Sequence, residues 1–514
     1  MEPFHYVVTG EEMASFDRNT IEHFQVPALI LMEQAALSVV EEIMTLFPDK
    51  KESILVLAGS GNNGGDAMAV ARLLAQREYS VTLFYASSHP VEKLGEVPLL
   101  QYRMLEKMQV EIVTQLPERA YTVIVDGIFG VGLSRPVTGK TGELLKEVSS
   151  RQAYRIAIDV PSGVDSNTGK VKGSCFRADC TVTFSFLKLG LCLYPGADYA
   201  GHVRVKRIGI TESSFENTLP RWRTLSAHPS VYMPYRPAFG HKGSFGKVLV
   251  IAGSKDSGGA AFLAGLGAFR CGCGMVCICT HSSQQSSLIS LLPEAMLALY
   301  SHQDEAQRVL EERLSWADVI VLGPALGKEK IAQSLLNTVV DKSRHPLVID
   351  ADGLRLLADT PLGTRLLQKQ STQESRRELI LTPHVAELSH LSGYSVKEVL
   401  DREKEVAEKT AVDYQAVIVQ KDAKTLIVDS LRQGYLNLCG NSGMATAGSG
   451  DLLAGMIGAL LAQGMNGLDA ASLGVYLHGK AGDLAAKRKN EYSLMASDIG
   501  EALGELLKEG IRRE

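Results

Sequence analysis

Short apolar runs rich in β-branched residues recur along the chain, and several end at a glycine that opens a helical pattern. The first half carries such runs at 54–58 before Gly59, at 81–85, at 123–126 and at 156–159. The second half repeats the arrangement at 248–252 before Gly253, at 319–322 before Gly323, at 348–350 and at 417–419. Runs this short, with little polar alternation, are strands buried on both faces, and the helical segments between them are the crossovers that parallel pairing requires. The pattern predicts the α/β fold class, with two doubly wound domains whose ligands sit at the carboxyl ends of the strands. From about 211 to 242 no period is sustained, and Pro229, Pro234 and Pro237 crowd the second part. The boundary is expected there, between a first domain at 1–215 and a second at 225–514. The two halves carry different motifs and are not a tandem repeat.

Composition changes this picture little. Of 514 residues, 45% are hydrophobic and 22% charged, an ordinary globular balance. The formal net charge of −5 gives no reason to expect nucleic acid or an anionic membrane as a partner. No stretch reaches the ~18 apolar residues of a membrane helix. The opening Met1-Glu2-Pro3-Phe4-His5-Tyr6 lacks the basic and apolar segments of a secretion signal, so a cytoplasmic location is expected. Eight cysteines do not make a disulfide scaffold in a chain this long. Cys271, Cys273, Cys277 and Cys279, with His281 behind them, have the residue types of a zinc site. They lie in a small, apolar stretch without paired C-x-x-C knuckles, and read as buried, inert thiols.

The candidate chemistry sits where the strands end. After the first strand comes Gly59-Ser60-Gly61-Asn62-Asn63-Gly64-Gly65-Asp66, opening a helical run. Closely spaced glycines let backbone N–H groups approach an anion at a helix N-terminus. Paired amides beside a carboxylate offer oxygens for a hard cation and hydrogen bonds for a sugar or amide. Two further strand ends carry Asp126-Gly127-Ile128-Phe129 and Asp159-Val160-Pro161-Ser162, and parallel topology brings such ends onto one rim.

These stretches, with Leu31-Met32-Glu33, make residues 1–215 resemble the YjeF N-terminal family of NAD(P)H-hydrate epimerases. The resemblance implies a Rossmann-like domain that interconverts the R and S forms of hydrated NADH and NADPH with potassium. It implies that Asn63, Asp126 and Ser162 ligate the potassium. It also implies that Asn62, Asn63, Gly64, Gly65 and Asp66, the loop Gly130-Val131-Gly132-Leu133-Ser134-Arg135-Pro136, and Asp159 hold the substrate, with Asp159 handling the proton. Ala67 and Gly127 depart from the family, which usually has glycine and alanine there.

In the second half, Asn441-Ser442-Gly443-Met444-Ala445-Thr446-Ala447-Gly448-Ser449-Gly450-Asp451 precedes a helical run. Small residues at a helix start let amides surround a phosphate, and Asp451 stands where a base can reach a hydroxyl. With Gly323-Pro324-Ala325-Leu326-Gly327, Asp350-Ala351-Asp352-Gly353, Thr382-Pro383-His384, Lys421-Asp422-Ala423-Lys424-Thr425 and the opening at 241–247, the half resembles the ribokinase-like superfamily and, within it, the NAD(P)H-hydrate dehydratases. The resemblance implies dehydration of the S epimer with ADP and magnesium, releasing AMP and phosphate. By position, Asp451 is the implied base, while Ala260, Gly323, Ala325, Gly327 and His384 line the substrate. Lys421, Asp422, Ala423, Lys424, Thr425, Gly448 and Gly450 are implied to hold the nucleotide. Ser449, Ala325, Ala386 and Asp422 depart from the family pattern. Asp422 matters most, because a carboxylate near phosphates repels them unless it faces solvent or magnesium.

The expected protein is a nicotinamide-nucleotide repair enzyme, fused in the order epimerase then dehydratase. Its expected partners are hydrated NADH, hydrated NADPH and ADP, and it is expected to form a homo-oligomer. Two alternatives stay open: an ATP-dependent kinase of a small vitamin alcohol, since the glycine loop is shared, and an N-terminal half that binds nucleotide without turning it over.

Overall fold

Seven parallel strands build the sheet of the first unit, which spans His5–Arg221. Their order is Glu111–Val113, Ser80–Tyr85, Ser53–Ala58, Val123–Gly127, Tyr154–Ile158, Cys180–Phe184 and His202–Lys206. The first of these in the chain, Ser53–Ala58, is internal to the sheet. The next two extend to one side of it and the rest to the other, as in Rossmann-like folds. The order reverses between Ser53–Ala58 and Val123–Gly127, so a crevice opens beyond the carboxyl ends of those two strands. The pleat divides the core in two. Ile54, Val56, Ala58, Val123 and Val125 join one buried cluster with the helices Ala28–Leu46 and Asn62–Gln76, whereas Leu55, Leu57 and Ile124 join another with Gly139–Ser150.

The structure is a computed structural model that describes residues 4–216, 218–372 and 376–508. The second unit runs from Trp222 onward. Its strands lie in the order Met296–Tyr300, Met275–His281, Lys247–Ile251, Val319–Leu322, Leu347–Ile349, Leu379–Leu381, Val417–Gln420, Leu426–Val428, Gly434–Leu436 and Trp222–Leu225. Pairing is parallel up to Val417–Gln420, antiparallel through the next two strands, and parallel again at Trp222–Leu225. The order reverses between Lys247–Ile251 and Val319–Leu322. Helices Gly259–Arg270 and Ser449–Ala462 cover this point with backbones almost touching: a Cβ on Gly267 would lie 2.2 Å from Leu452 O, and one on Gly455 1.9 Å from Ala264 O.

All eight apolar runs are strands. Others went unseen, each for a physical reason. Met275–His281 alternates Cys277 and Cys279 with larger residues, so its thiols mask an otherwise apolar strand. Burial raises Cys277 to about 11 and Cys279 to about 12. Cys180–Phe184 interleaves threonine, and His202–Lys206 is an edge strand with a mostly exposed face. Trp222–Leu225 lies in the stretch without a period, anchored by the buried Trp222. Among the described residues no helix is long and apolar enough to cross a membrane.

Candidate active sites

A cavity of about 680 Å³ opens at the reversal point of the first sheet. Asn62, Asn63, Asp66, the loop from Gly130 to Leu133 and Asp159 all line it. Asp159 follows the strand Tyr154–Ile158 with φ +64°, in the left-handed region that disfavours residues with a Cβ. Such strain persists only where surroundings over-determine it. Here the Asp159 carboxylate accepts from Lys188 Nζ at 2.6 Å, Thr183 Oγ1 at 3.0 Å and Phe184 N at 3.3 Å. Lys188 is fully buried and also donates to Phe184 O at 2.7 Å. Burial lowers its pKa, and the Asp159 carboxylate opposes that shift.

Two more carboxyls face this pair. Asp66, in the first turns of Asn62–Gln76, is pushed well above the carboxylate range by desolvation, then by Asp159 and Asp17. Asp17 is also raised, by burial first and by Asp159 second. It comes from helix Gly10–Glu22, whose start is fixed by a capping box: Glu12 N donates to Thr9 Oγ1 at 3.1 Å, and Thr9 N to the Glu12 carboxylate at 2.8 Å. Sequence reasoning missed Asp17 and Lys188, because one is on a helix and the other on a two-residue strand, Leu187–Lys188. A lone lysine within the apolar stretch 184–193 was the available signal.

Asn63, Asp126 and Ser162 meet beside the cavity wall. Asp126 and Ser162 are wholly buried. Asp126 Oδ2 accepts from Ser162 N and Oδ1 from Ser162 Oγ, both at 2.7 Å. Burial raises Asp126 to about 6 against these hydrogen bonds. The Asn63 amide donates to the carbonyls of Phe129 and Ile158 at 2.9 and 3.3 Å. Ser134, Arg135 and Pro136 continue the loop but do not line the cavity. Positions 67 and 127 pack against each other: a Cβ on Gly127 would lie 2.5 Å from the Ala67 methyl and 2.9 Å from Asn63 O, so the Ala67 methyl takes up space that a side chain at 127 would need.

In the second unit, Gly448 has φ +87° and precedes helix Ser449–Ala462 without any side-chain cap bond, so Asp451 does not cap it. Asp451 is pushed up to about 6, by desolvation first, then by Asp350, with Lys421 opposing and Asp352 and Glu387 adding. Asp350, 1% exposed, accepts from Lys421 Nζ at 2.6 Å. The loop 323–327 turns through positive φ at Gly323, Ala325 and Gly327, and Gly327 N donates to Asp352 at 3.0 Å. Ala325 is the one residue of the three with a Cβ, at φ +48°.

His384 is half exposed, and its Nδ1 caps helix Val385–Ser392 by accepting from Ala386 N and Glu387 N. Its neighbour Pro383 is tied to Lys421, whose N–H donates to Pro383 O at 2.8 Å. Asp422 is exposed and accepts from Ala423 N at 2.6 Å, so its carboxylate faces solvent. Lys424 turns its ammonium to Leu438 O at 3.0 Å, and Thr425 is buried at the root of the loop. Ala260 opens helix Gly259–Arg270, and a Cβ on Gly448 would strike Leu263 of that helix at 2.2 Å. Of the residues predicted for the first unit, Asn62, Asn63, Asp66, the loop from Gly130 to Leu133 and Asp159 share the cavity, whereas Gly64 and Gly65 pack against Gly59 and Met32 and do not line it. Among the described residues no cluster of three or more His, Cys, Asp or Glu side chains is arranged to hold a metal ion.

Acidic side chains at strand ends beside glycine-rich helix starts, once in each doubly wound unit, define a two-domain α/β enzyme for phosphate-bearing ligands. A family described as YjeF-related protein N-terminus matches residues 28–190, and one described as NAD(P)H-hydrate dehydratase matches residues 248–504. The bifunctional NAD(P)H-hydrate repair enzyme Nnr of Moorella thermoacetica is 34% identical over 98% of this chain and 97% of its own length. That of Coxiella burnetii is 36% identical over 91% of this chain and 93% of its own. The ADP/ATP-dependent NAD(P)H-hydrate dehydratase of Bacillus subtilis, crystallised with ATP and magnesium, is 30% identical with a TM-score of 0.48, covering 55% of this chain and 96% of its own. The chain belongs to the family of bifunctional NAD(P)H-hydrate repair enzymes.

Proposed function

We propose that this chain repairs NADH and NADPH that have taken up water across the 5,6 double bond of the nicotinamide ring. The N-terminal unit interconverts the R and S epimers, and the C-terminal unit returns the S epimer to NAD(P)H using ADP, with release of AMP and phosphate. The observation that carries this reading is the place of Asp451, at the end of a glycine loop beside the half-buried Lys421, which is paired with Asp350; burial there raises the Asp451 carboxyl to about 6. A base with that pKa is ionised at neutral pH yet basic enough to take a hydroxyl proton.

In the dehydratase the 6-hydroxyl oxygen attacks the β-phosphorus of ADP, Asp451 takes the hydroxyl proton, and AMP leaves. Amides at the start of Ser449–Ala462 and the Lys421 ammonium offset the charge on the transferring group. Magnesium enters with ADP as part of that co-substrate. Phosphate then departs from C6 with the C–O electron pair, C5 loses a proton, and the double bond returns. In the epimerase, C6 carries both the hydroxyl and the ring nitrogen, whose lone pair expels the hydroxyl once it is protonated. The Asp66 carboxyl, raised by burial and by Asp159 and Asp17, supplies that proton. Water adds to the opposite face and gives its proton to Asp159, which Lys188 holds in place. Neighbouring carboxyls in unlike environments are the usual source of an acid and base in one site.

Asn63, Asp126 and Ser162 carry oxygens and one formal charge, which suits a monovalent hard ion. We assign potassium to them; when bound it supplies positive charge beside the cavity. The test is an assay of purified protein with mixed hydrate epimers and ADP or ATP as separate donors. Recovery of the reduced-nicotinamide absorbance from both epimers with ADP supports the reading, and a stable phosphorylated product without recovery refutes it.

A further inference from the structure

We propose that Asp350 is a positioning residue of the dehydratase: with Thr382 it holds the Lys421 ammonium beneath Gly450, as a fixed counter-charge for the phosphoryl group entering the loop 448–451. The inference rests on the function proposed above and adds a residue with a stated role to it.

Asp350 follows the strand Leu347–Ile349 and is 1% exposed. An ionised carboxylate in such a place is costly unless it is paired and hydrogen-bonded. Both conditions are met on one oxygen: Oδ1 accepts from Lys421 Nζ at 2.6 Å and from Thr382 Oγ1 at 2.7 Å. Thr382 follows the adjacent strand Leu379–Leu381, and Lys421 follows Val417–Gln420, so three neighbouring strand ends converge on one carboxylate. Gly450 covers the pair. A Cβ at that position would lie 3.2 Å from Lys421 Nζ and 3.7 Å from Asp350 Oδ2. The ammonium therefore stands directly below the first turn of Ser449–Ala462, where a phosphate would meet the helix amides.

Holding strands together is a poor reason for this pair, since buried ion pairs seldom stabilise a fold better than apolar side chains of equal size. The charge arrangement gives a better one. Lys421 is faced by Asp350, by Glu387 at 4.0 Å, by Asp451 and by the buried, neutral His478, whose own pKa burial lowers to about 4. Asp352 adds a further carboxylate near Asp451. A phosphoryl group entering among so many carboxylates is repelled unless the ammonium stays charged and stays in place. Asp350 does both. Burial disfavours the charge on Lys421, and the Asp350 carboxylate is the largest influence opposing it.

The test is a cycle of Asp350→Asn, Lys421→Met and the double variant, measured on the full chain with the S epimer of hydrated NADH and magnesium-ADP. Lys421→Met should lower kcat by ~10²–10³-fold, the scale of losing one preorganised charge stabiliser. Asp350→Asn should lower kcat more than it raises KM for ADP. It should also add a falling limb to the rate profile on the alkaline side, as the lysine loses its proton at lower pH. The double variant should be no worse than Lys421→Met alone, because Asp350 acts through the lysine. Thr382→Val should reproduce part of the Asp350→Asn profile and Thr382→Ser should restore the wild-type one, which keeps the test decisive if Asp350→Asn fails to fold. Additive losses, or a loss in Asp350→Asn or Thr382→Val with no new alkaline limb, overturn the positioning role alone. A wild-type chain that does not recover reduced nicotinamide with ADP overturns the function itself.

Discussion

Replacing Asp451 by asparagine should make the enzyme nearly inactive and more stable at once. The side chain keeps its shape, but the base is gone, and a positioned base contributes ~10²–10⁴-fold, so dehydration should slow by at least ~100-fold. The stability change has the opposite sign. Asp451 is raised from 3.8 to about 6, so the folded state holds its proton more tightly than the unfolded chain does. Its ionisation therefore costs the fold nothing below about pH 3.8 and the full penalty above about pH 6. At 1.36 kcal/mol per pKa unit that penalty is about 3 kcal/mol, and Asp451→Asn removes it. Urea denaturation of wild type and variant, compared at pH 8 and near pH 4, should show a gain of about 2–3 kcal/mol at the higher pH that vanishes at the lower. ADP binding by calorimetry should persist or tighten, since a negative charge beside the phosphates is lost. In the wild type, kcat should rise as pH increases through about 6. A variant that is less stable at pH 8, or that turns over at near wild-type rate, would refute the reasoning.

Asp159→Ala should abolish epimer exchange, followed by chromatography of the two forms, while dehydration of the S epimer stays near normal; loss of both activities in a folded variant would count against separate sites. Epimerisation should stop in potassium-free buffer and survive a zinc chelator, and full activity without potassium would defeat the assignment of Asn63, Asp126 and Ser162. Gly127→Ala should destabilise the chain by about 1–3 kcal/mol through overpacking against Ala67. Adding Ala67→Gly should recover part of that loss but not all of it, because the Asn63 backbone oxygen still stands 2.9 Å from the new Cβ, and a denaturation series that finds the two changes additive would contradict the shared space.

Most central strands were legible because burial on both faces removes polar alternation, leaving unbroken runs such as 319–322, whereas the central strand Leu379–Leu381 is too short to stand out. Edge and threonine-rich strands were not, because their composition is set by solvent or by hydrogen bonds such as that from Thr181 Oγ1 to Ala200 O. The same logic governed the sites. Carboxylates that close a strand, such as Asp126, Asp159 and Asp350, are visible in one dimension, since the fold itself puts strand ends on one rim. Asp17 reaches its cavity from a preceding helix, and Lys188 matters through burial, which no local pattern encodes. Asp422 shows the converse: its position suggested conflict with phosphates, and only its orientation toward the Ala423 amide removes it.

The single methyl shared between positions 67 and 127 also constrains how such a chain can change over time. A chain with alanine at both positions is penalised by overpacking, because the two methyls would stand 2.5 Å apart. A chain can lack both, since an unfilled space of one methyl costs only about 1 kcal/mol. Exchange of the two residues is therefore less costly through glycine at both positions than through alanine at both. The residue tolerated at either position thus depends on the residue at the other.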